Sequence, residues 1–175
     1  MNTRLTATVC LASALALAAC KKQPPEELPP PPQQTTPTTT PTPTGPGVAA
    51  PGTQRHFTET VGAQNTVVYF DTDRYNIDAE DTRRLQVQAQ YFSQYPQITF
   101  TVEGHADERG TREYNLALGA RRAAATRDYL SQLGVARNRI NTISYGKERP
   151  VAVCDDISCW TQNRRAVTVL GGAGS

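Results

Sequence analysis

The sequence predicts an α+β domain of two layers, with helices packed on one side of a mixed β-sheet in the order βαβαββ. Three observations predict it: short runs rich in β-branched and aromatic residues, two longer stretches with apolar residues at helical spacing, and the alternation of the two kinds along the chain. The chain has 175 residues and a mass of 19.1 kDa, enough for one domain with tails. Its 18 basic residues against 16 acidic ones leave a net charge of +2, which argues against a polybasic nucleic-acid-binding protein. A mean hydropathy of -0.51 and one long apolar stretch, at the N-terminus, argue against a polytopic membrane protein or a porin-sized barrel.

That N-terminal stretch has the grammar of export. Arg4 supplies a positive start, and Leu5 to Ala19 is rich in Ala and Leu, too short to span a bilayer but suited to a secretory signal, so residues 1–19 are expected to be removed. The stretch ends in Leu17-Ala18-Ala19-Cys20, which resembles a bacterial lipobox, where small residues admit the signal peptidase and the Cys20 thiol becomes the lipidated N-terminus. The resemblance implies more acyl chains than stable anchoring needs. Lys21 stands where, in enteric-type bacteria, an Asp favours inner-membrane retention, so outer-membrane sorting is expected. Residues 20–54 hold eleven of the 13 prolines, interleaved with Thr and Gln. Such a segment buries too little apolar area to offset its ordering entropy and reads as a tether, reaching roughly 105 Å if fully extended. A Pro-rich docking ligand is the alternative.

Of the 4 cysteines, Cys10 leaves with the signal and Cys20 takes lipid, which leaves Cys154 and Cys159 in an oxidising compartment, where they are expected to pair. So short a loop contributes about 2 kcal/mol, stiffening a surface loop rather than making the fold possible. A CxxxxC metal pair is the rival, but no second Cys/His pair accompanies it, and no metal or other cofactor is expected.

The remaining segment, residues 55–172, is long enough for a core of its own, with a tail at 173–175. Thr66-Val67-Val68-Tyr69-Phe70 reads as a strand. Asp78 to about Gln94 reads as a helix: Asp78 caps it, Glu80 and Asp81 sit in the first turn, Leu85, Ala89 and Phe92 repeat at helical spacing, and Pro96 stops it. Ile98 to Val102 alternates as a second strand, followed by a loop from Gly104 to Gly110. Thr111 opens a long helix running to about Leu133, with Leu116, Gly119, Ala123, Leu130 and Leu133 along one face and Gly134 at its C-terminal cap. Ile140 to Tyr145 and Ala166 to Leu170 complete the strands.

The stretch Thr101-Val102-Glu103-Gly104-His105-Ala106-Asp107-Glu108-Arg109-Gly110-Thr111-Arg112-Glu113-Tyr114-Asn115-Leu116-Ala117-Leu118-Gly119-Ala120-Arg121-Arg122-Ala123 resembles, almost residue for residue, the peptidoglycan-binding signature of the OmpA-like domains, and within them that of the peptidoglycan-associated lipoproteins. Val68-Tyr69-Phe70-Asp71 with Asp73 and Tyr75, Ser144-Tyr145-Gly146-Lys147-Glu148 with Pro150, and Asn163-Arg164-Arg165-Ala166-Val167 extend the match from about Val67 to Val169. The resemblance implies an OmpA-like fold, no catalytic activity, and non-covalent binding of the meso-diaminopimelate stem peptide of peptidoglycan. It implies an outer-membrane lipoprotein facing the periplasm, part of the Tol-Pal system that supports envelope integrity and membrane constriction during division. TolB would compete there for a surface overlapping the wall site. The alternative is an OmpA-like lipoprotein that binds the wall without Tol partners.

The implied ligand has a zwitterionic end, so a site for it needs a fixed acid and a fixed fork of cationic donors. By resemblance, Asp107 receives the ammonium and Arg122, three turns into the following helix, grips the carboxylate; Asp73, Arg109, Asn115 and Leu118 line the same pocket. Thr72 stands where many relatives carry an apolar residue. Glu108 and Arg109, at the loop tip, are the expected shared contacts with TolB. Each has a plainer reading: Asp107 and Arg122 as a structural ion pair, Arg109 and Arg112 as solvated charges, Asn163, Arg164 and Arg165 as residues bonded to loop carbonyls, and Tyr114 and Phe70 as core. A hydrolase using His105, Asp107 and Glu108 is the opposing class, but His56 is the only other histidine and no second carboxylate-rich motif accompanies it. A flagellar-type stator needs a membrane-spanning helix with a buried acid, and none follows Cys20.

Overall fold

Caps and breakers set the helix ends in this chain. In a computed structural model that describes residues 49–171, the elements run α1 (Gln54–Val61), β1 (Val67–Tyr69), α2 (Ala79–Gln94), β2 (Phe100–His105), α3 (Arg112–Gln132), β3 (Ile140–Gly146), α4 (Ile157–Asn163) and β4 (Arg165–Leu170). The expected signal peptide, the Cys20 lipidation site, most of the tether and the tail lie outside the described residues. Asp78 caps α2 by accepting from the Asp81 amide at 2.8 Å, and Thr111 caps α3 by accepting from the Tyr114 amide at 3.2 Å. Helix α2 ends at Tyr95, just before Pro96, and α3 ends ahead of Gly134, whose φ of 98° suits glycine.

The four strands form one mixed sheet in the order β1-β4-β2-β3, with β2 and β3 parallel and β4 antiparallel to both β1 and β2. The α+β architecture and the βαβαββ core are as expected. Two helices add to it. Helix α1 begins inside the polar end of the proline-rich segment, where Thr53 caps it and the Gln54 side chain accepts from the Leu170 amide at 2.8 Å. Helix α4 is a short piece between the last two strands, capped by Asp156. Strand β2 also runs further than the expected end at Val102, because Gly104 is paired with both Ser144 and Ala166.

The core lies between the sheet and the helices. Phe57, Leu85, Phe92, Phe100, Val102 and Leu130 are buried there, with the Phe92 and Phe100 rings stacked 3.8 Å apart. Each such side chain contributes about 2 kcal/mol of transfer free energy. Helix α3 presents a different face from the expected one. Gly119, Ala123 and Leu130 are buried, but Leu116 and Leu133 are only half-buried, and Asn115, Leu118, Arg122 and Thr126 are buried instead. The reason is a backbone contact: a Cβ on Gly104 would lie 1.9 Å from the Gly119 carbonyl oxygen, and one on Gly119 would lie 2.4 Å from Ser144 Oγ. The helix is seated on two glycines, which turns polar residues of its N-terminal half under the end of β2.

The seating is directly testable. Gly104→Ala must push α3 away from the sheet and is expected to cost about 3 kcal/mol, whereas Gly134→Ala, with nothing within 4 Å of the added carbon but a positive φ, is expected to cost about 1 kcal/mol. Urea denaturation of the two variants measures both, and equal losses would show that the helix does not depend on the glycine contact.

Candidate functional site

The site forms where β2 delivers the chain into the Ala106–Thr111 loop, facing the segment after β1 and the first turns of α3. Its foundation is Arg122. The guanidinium is fully buried and donates to three backbone carbonyls, from Nε to Arg74 at 2.9 Å, from Nη1 to His105 at 2.8 Å and from Nη2 to Asp71 at 3.0 Å. It thereby ties the 71–74 segment to the end of β2. Burial, then the neighbouring Arg164, pushes its pKa down to about 10, which leaves it cationic at neutral pH.

Asp107 is not paired with Arg122. Its Oδ1 accepts from the Arg109 amide at 3.2 Å and from Arg109 Nε at 3.1 Å, and its Oδ2 accepts from Arg109 Nη2 at 2.7 Å. Arg164 Nη1 stands 3.5 Å from Oδ2 without a hydrogen-bond partner among the described residues, while Arg164 Nε donates to the Phe70 carbonyl at 2.8 Å. Burial works to raise the Asp107 pKa, but the hydrogen bonds from Arg109 and the charges of both arginines outweigh it and hold the carboxyl below its ordinary value. The carboxylate is 7% exposed.

A cavity of about 270 Å³ opens above this pair, lined by Thr72, Asp73, Asp107, Arg109, Gly110 and Tyr114. Three of the six residues expected at the pocket, Asp107, Asp73 and Arg109, are therefore on its wall. Asp73 adopts a left-handed backbone (φ 57°), which Asp tolerates, and its carboxylate accepts from the Tyr114 hydroxyl at 3.0 Å. The other three stand behind the wall: Asn115 donates to the Arg109 carbonyl at 2.7 Å, and Leu118 and Arg122 are buried. Phe70 is buried as expected of a core residue, but Tyr114 is 46% exposed, because its position on α3 faces the cavity rather than the core. Thr72 is a cavity residue whose hydroxyl lies 3.4 Å from Arg109 Nη2, a polar contact at the position where an apolar one is usual for the resemblance.

Glu108 points away from the cavity and accepts from the Trp160 indole N–H, while Lys147 Nζ donates to the Glu108 and Gly110 carbonyls at 3.0 and 2.7 Å. The Arg109 guanidinium carbon sits 4.0 Å from the centre of the Trp160 ring. Trp160 is carried by α4, beside the Cys154–Cys159 disulfide, which joins the two cysteines as expected. Asn163 at the end of α4 accepts from the Val151 and Ala152 amides at 2.8 and 3.2 Å, and Arg165 donates to the Asn163 and Arg149 carbonyls at 3.4 and 3.2 Å. Asn163, Arg164 and Arg165 are all buried and bonded to backbone groups, which is the plainer of their readings. Trp160 and Arg164 are the site residues that sequence reasoning does not bring to Asp107. Their only sequence signals are that Trp160 is the chain's 1 tryptophan and that Arg164 lies in a motif matched to the family.

The OmpA family profile matches residues 69–164. The peptidoglycan-associated lipoprotein of Agrobacterium fabrum is 67% identical over 130 residues, covering 74% of this chain and 72% of that protein. Its counterpart from Rhizobium meliloti is 66% identical over 131 residues, covering 75% and 73%. Among solved structures, the peptidoglycan-associated lipoprotein of Burkholderia pseudomallei superposes with a TM-score of 0.59 at 47% identity, covering 61% of this chain and 90% of that one.

His105, whose carbonyl Arg122 holds, is 2% exposed, and among the described residues neither ring nitrogen has a hydrogen-bond partner. Burial first, then the charges of Arg165 and Arg149, pushes its pKa down to about 3 from 6.5, so the ring is neutral in the fold. Below about pH 6.5 the unfolded chain binds the extra proton, and this contribution to stability is lost as pH falls toward 3. The stability margin of wild type over His105→Gln is therefore expected to shrink between pH 7 and pH 4, by at most about 1.4 kcal/mol per pH unit. Urea titrations across that range test it; a margin independent of pH would mean that His105 is not held neutral.

Proposed function

The chain belongs to the OmpA family, and within it to the peptidoglycan-associated lipoproteins, and from that premise we propose that it binds peptidoglycan non-covalently, through the meso-diaminopimelate of a stem peptide, at the Asp107 cavity. The family is not an enzyme family. The observation that carries the reading is the ionised, nearly buried Asp107 carboxylate on the wall of a cavity of about 270 Å³. A fixed anion at low exposure recognises an ammonium far better than the same group in water does. The Arg122 fork donates three of its five N–H groups to backbone carbonyls, which leaves two as the donors this reading gives to the ligand carboxylate. Asp73 and Arg109 line the cavity, and Asn115 and Leu118 support it from behind.

In this reading Cys20 carries the lipid anchor in the outer membrane, residues 20–54 form the tether, and the domain at 55–172 reaches the wall from the periplasmic side. The chain acts in the Tol-Pal system, linking outer membrane and wall during constriction. TolB binds the outer side of the Ala106–Thr111 loop through Glu108 and Arg109, so that the two partners exclude one another.

Co-sedimentation with purified sacculi tests the wall reading. Asp107→Asn is expected to lower binding to diaminopimelate-type sacculi at least about tenfold, the usual scale for one partner of a buried charge pair. Wild type should bind lysine-type sacculi, which lack the zwitterionic end, equally poorly. Equal binding of wild type and variant would move the contact away from Asp107. Independently, Glu108→Lys is expected to weaken TolB affinity about tenfold while sparing sacculus binding; affinity for TolB unchanged in a pull-down titration would remove Glu108 from that surface.

A further inference from the structure

Both carboxylate oxygens of Asp107 are already occupied by a cation of the chain itself. Arg109 makes two side-chain bonds to them and adds a third from its backbone amide. The two arginines at Asp107 are held very differently. The Arg164 side chain is 6% exposed, is anchored to the Phe70 carbonyl, and approaches Asp107 no closer than 3.5 Å. The Arg109 side chain is 40% exposed and reaches Asp107 from the rim of the cavity.

We infer that Arg109 is a resident cation on Asp107, a competitor that every ligand of this carboxylate must displace and that only a ligand bringing its own positive charge replaces. The inference rests on the reading of the Asp107 cavity as the wall-binding site. A ligand with a neutral or acylated amine would have to strip Arg109 away and leave a nearly buried carboxylate short of donors, because Arg164 makes no hydrogen bond to it. An ammonium replaces the lost charge and carries three donors of its own, so the exchange conserves the ion pair.

The structure also provides for the displaced side chain. The guanidinium already lies over the Trp160 ring at 4.0 Å, a contact that does not depend on Asp107. Trp160 is fixed in turn by its bond to Glu108 and by the Cys154–Cys159 bridge next to it, and Lys147 clamps the loop backbone on both sides of Arg109. The side chain can therefore leave Asp107 while its backbone stays. It then remains on the rim, where its charge faces the ligand's own carboxylate.

The test uses the full chain purified in detergent, with a muramyl tripeptide ending in meso-diaminopimelate and the same peptide acetylated on the free amine. Wild type is expected to bind the free amine at least about tenfold tighter than the acetylated form in calorimetry. Binding should also change the emission of Trp160, which as the chain's 1 tryptophan reports on Arg109 without interference. Arg109→Gln, with no resident cation to displace, is expected to bind the acetylated peptide at least about tenfold more tightly than wild type does, and the absence of that gain overturns the exchange; Arg109→Lys should keep the wild-type affinities and shows that the fold accepts a change there. Loss of both peptides in Arg109→Gln alone, or wild-type binding with no change in Trp160 emission, overturns the exchange while leaving the site in place. Failure of wild type to bind either peptide overturns the site itself and the exchange with it.

Discussion

A buried guanidinium is the constraint around which the rest of this molecule is arranged. Moving a charge of that size out of water costs several kcal/mol unless donors and acceptors match, and Arg122 matches by reaching three carbonyls from two separate parts of the chain. Those carbonyls belong to the end of β2 and to the 71–74 segment, the two walls between which the cavity opens. The same bonds that satisfy the charge therefore fix the geometry of the site. They also explain why Asp107 is free to pair with Arg109, since Arg122 does not need its carboxylate.

Such an arrangement requires a long side chain to enter the protein from the middle of α3 without lifting the helix off the sheet. The contact between Gly104 and Gly119 permits it. With no Cβ on either residue, α3 lies close enough to β2 that Arg122, three residues beyond Gly119, passes beneath the strand end. A helix held at ordinary side-chain distance would leave the guanidinium short of the loop carbonyls. Packing and electrostatics are coupled here through two residues that have no side chain at all.

The legible parts of the sequence are those whose physics is local. Caps at Asp78 and Thr111, the stop at Pro96 and the glycine at 134 each act within a few residues, and the helices they bound are found nearly to the residue. The residues at the cavity wall were legible as a motif, because Asp107 and Arg109 lie within one loop. What was not legible depends on distant parts of the chain. Nothing near Trp160 signals that it meets Glu108 across 52 positions, and nothing near Arg164 signals its approach to Asp107. The apolar spacing of α3 suggested Leu116 and Leu133 for the core, but the glycine contact, made with another strand, rotates the helix and buries Asn115 and Arg122 instead. Tyr114 is exposed for the same reason.

Helix α4 shows why the disulfide sits where it does. A helix this short has no stability of its own, because nucleation outweighs the few hydrogen bonds it can add. Its position comes from the ends: Asn163 ties the last turn to the Val151 and Ala152 backbone, and Cys159 ties the first turn to Cys154. Between those two attachments Trp160 is presented at the edge of the loop that carries Asp107, Glu108 and Arg109. Successive residues of that loop thus face different surroundings: Asp107 and Arg109 the cavity, Glu108 the indole outside it. In the proposed function, wall and protein partners then need no conformational relay to exclude one another. A partner that covers Glu108 and Trp160 takes away the ring on which a displaced Arg109 would rest, and so favours Arg109 on Asp107. Competition follows from contact between neighbouring side chains, and the bridge matters because it keeps the indole in reach.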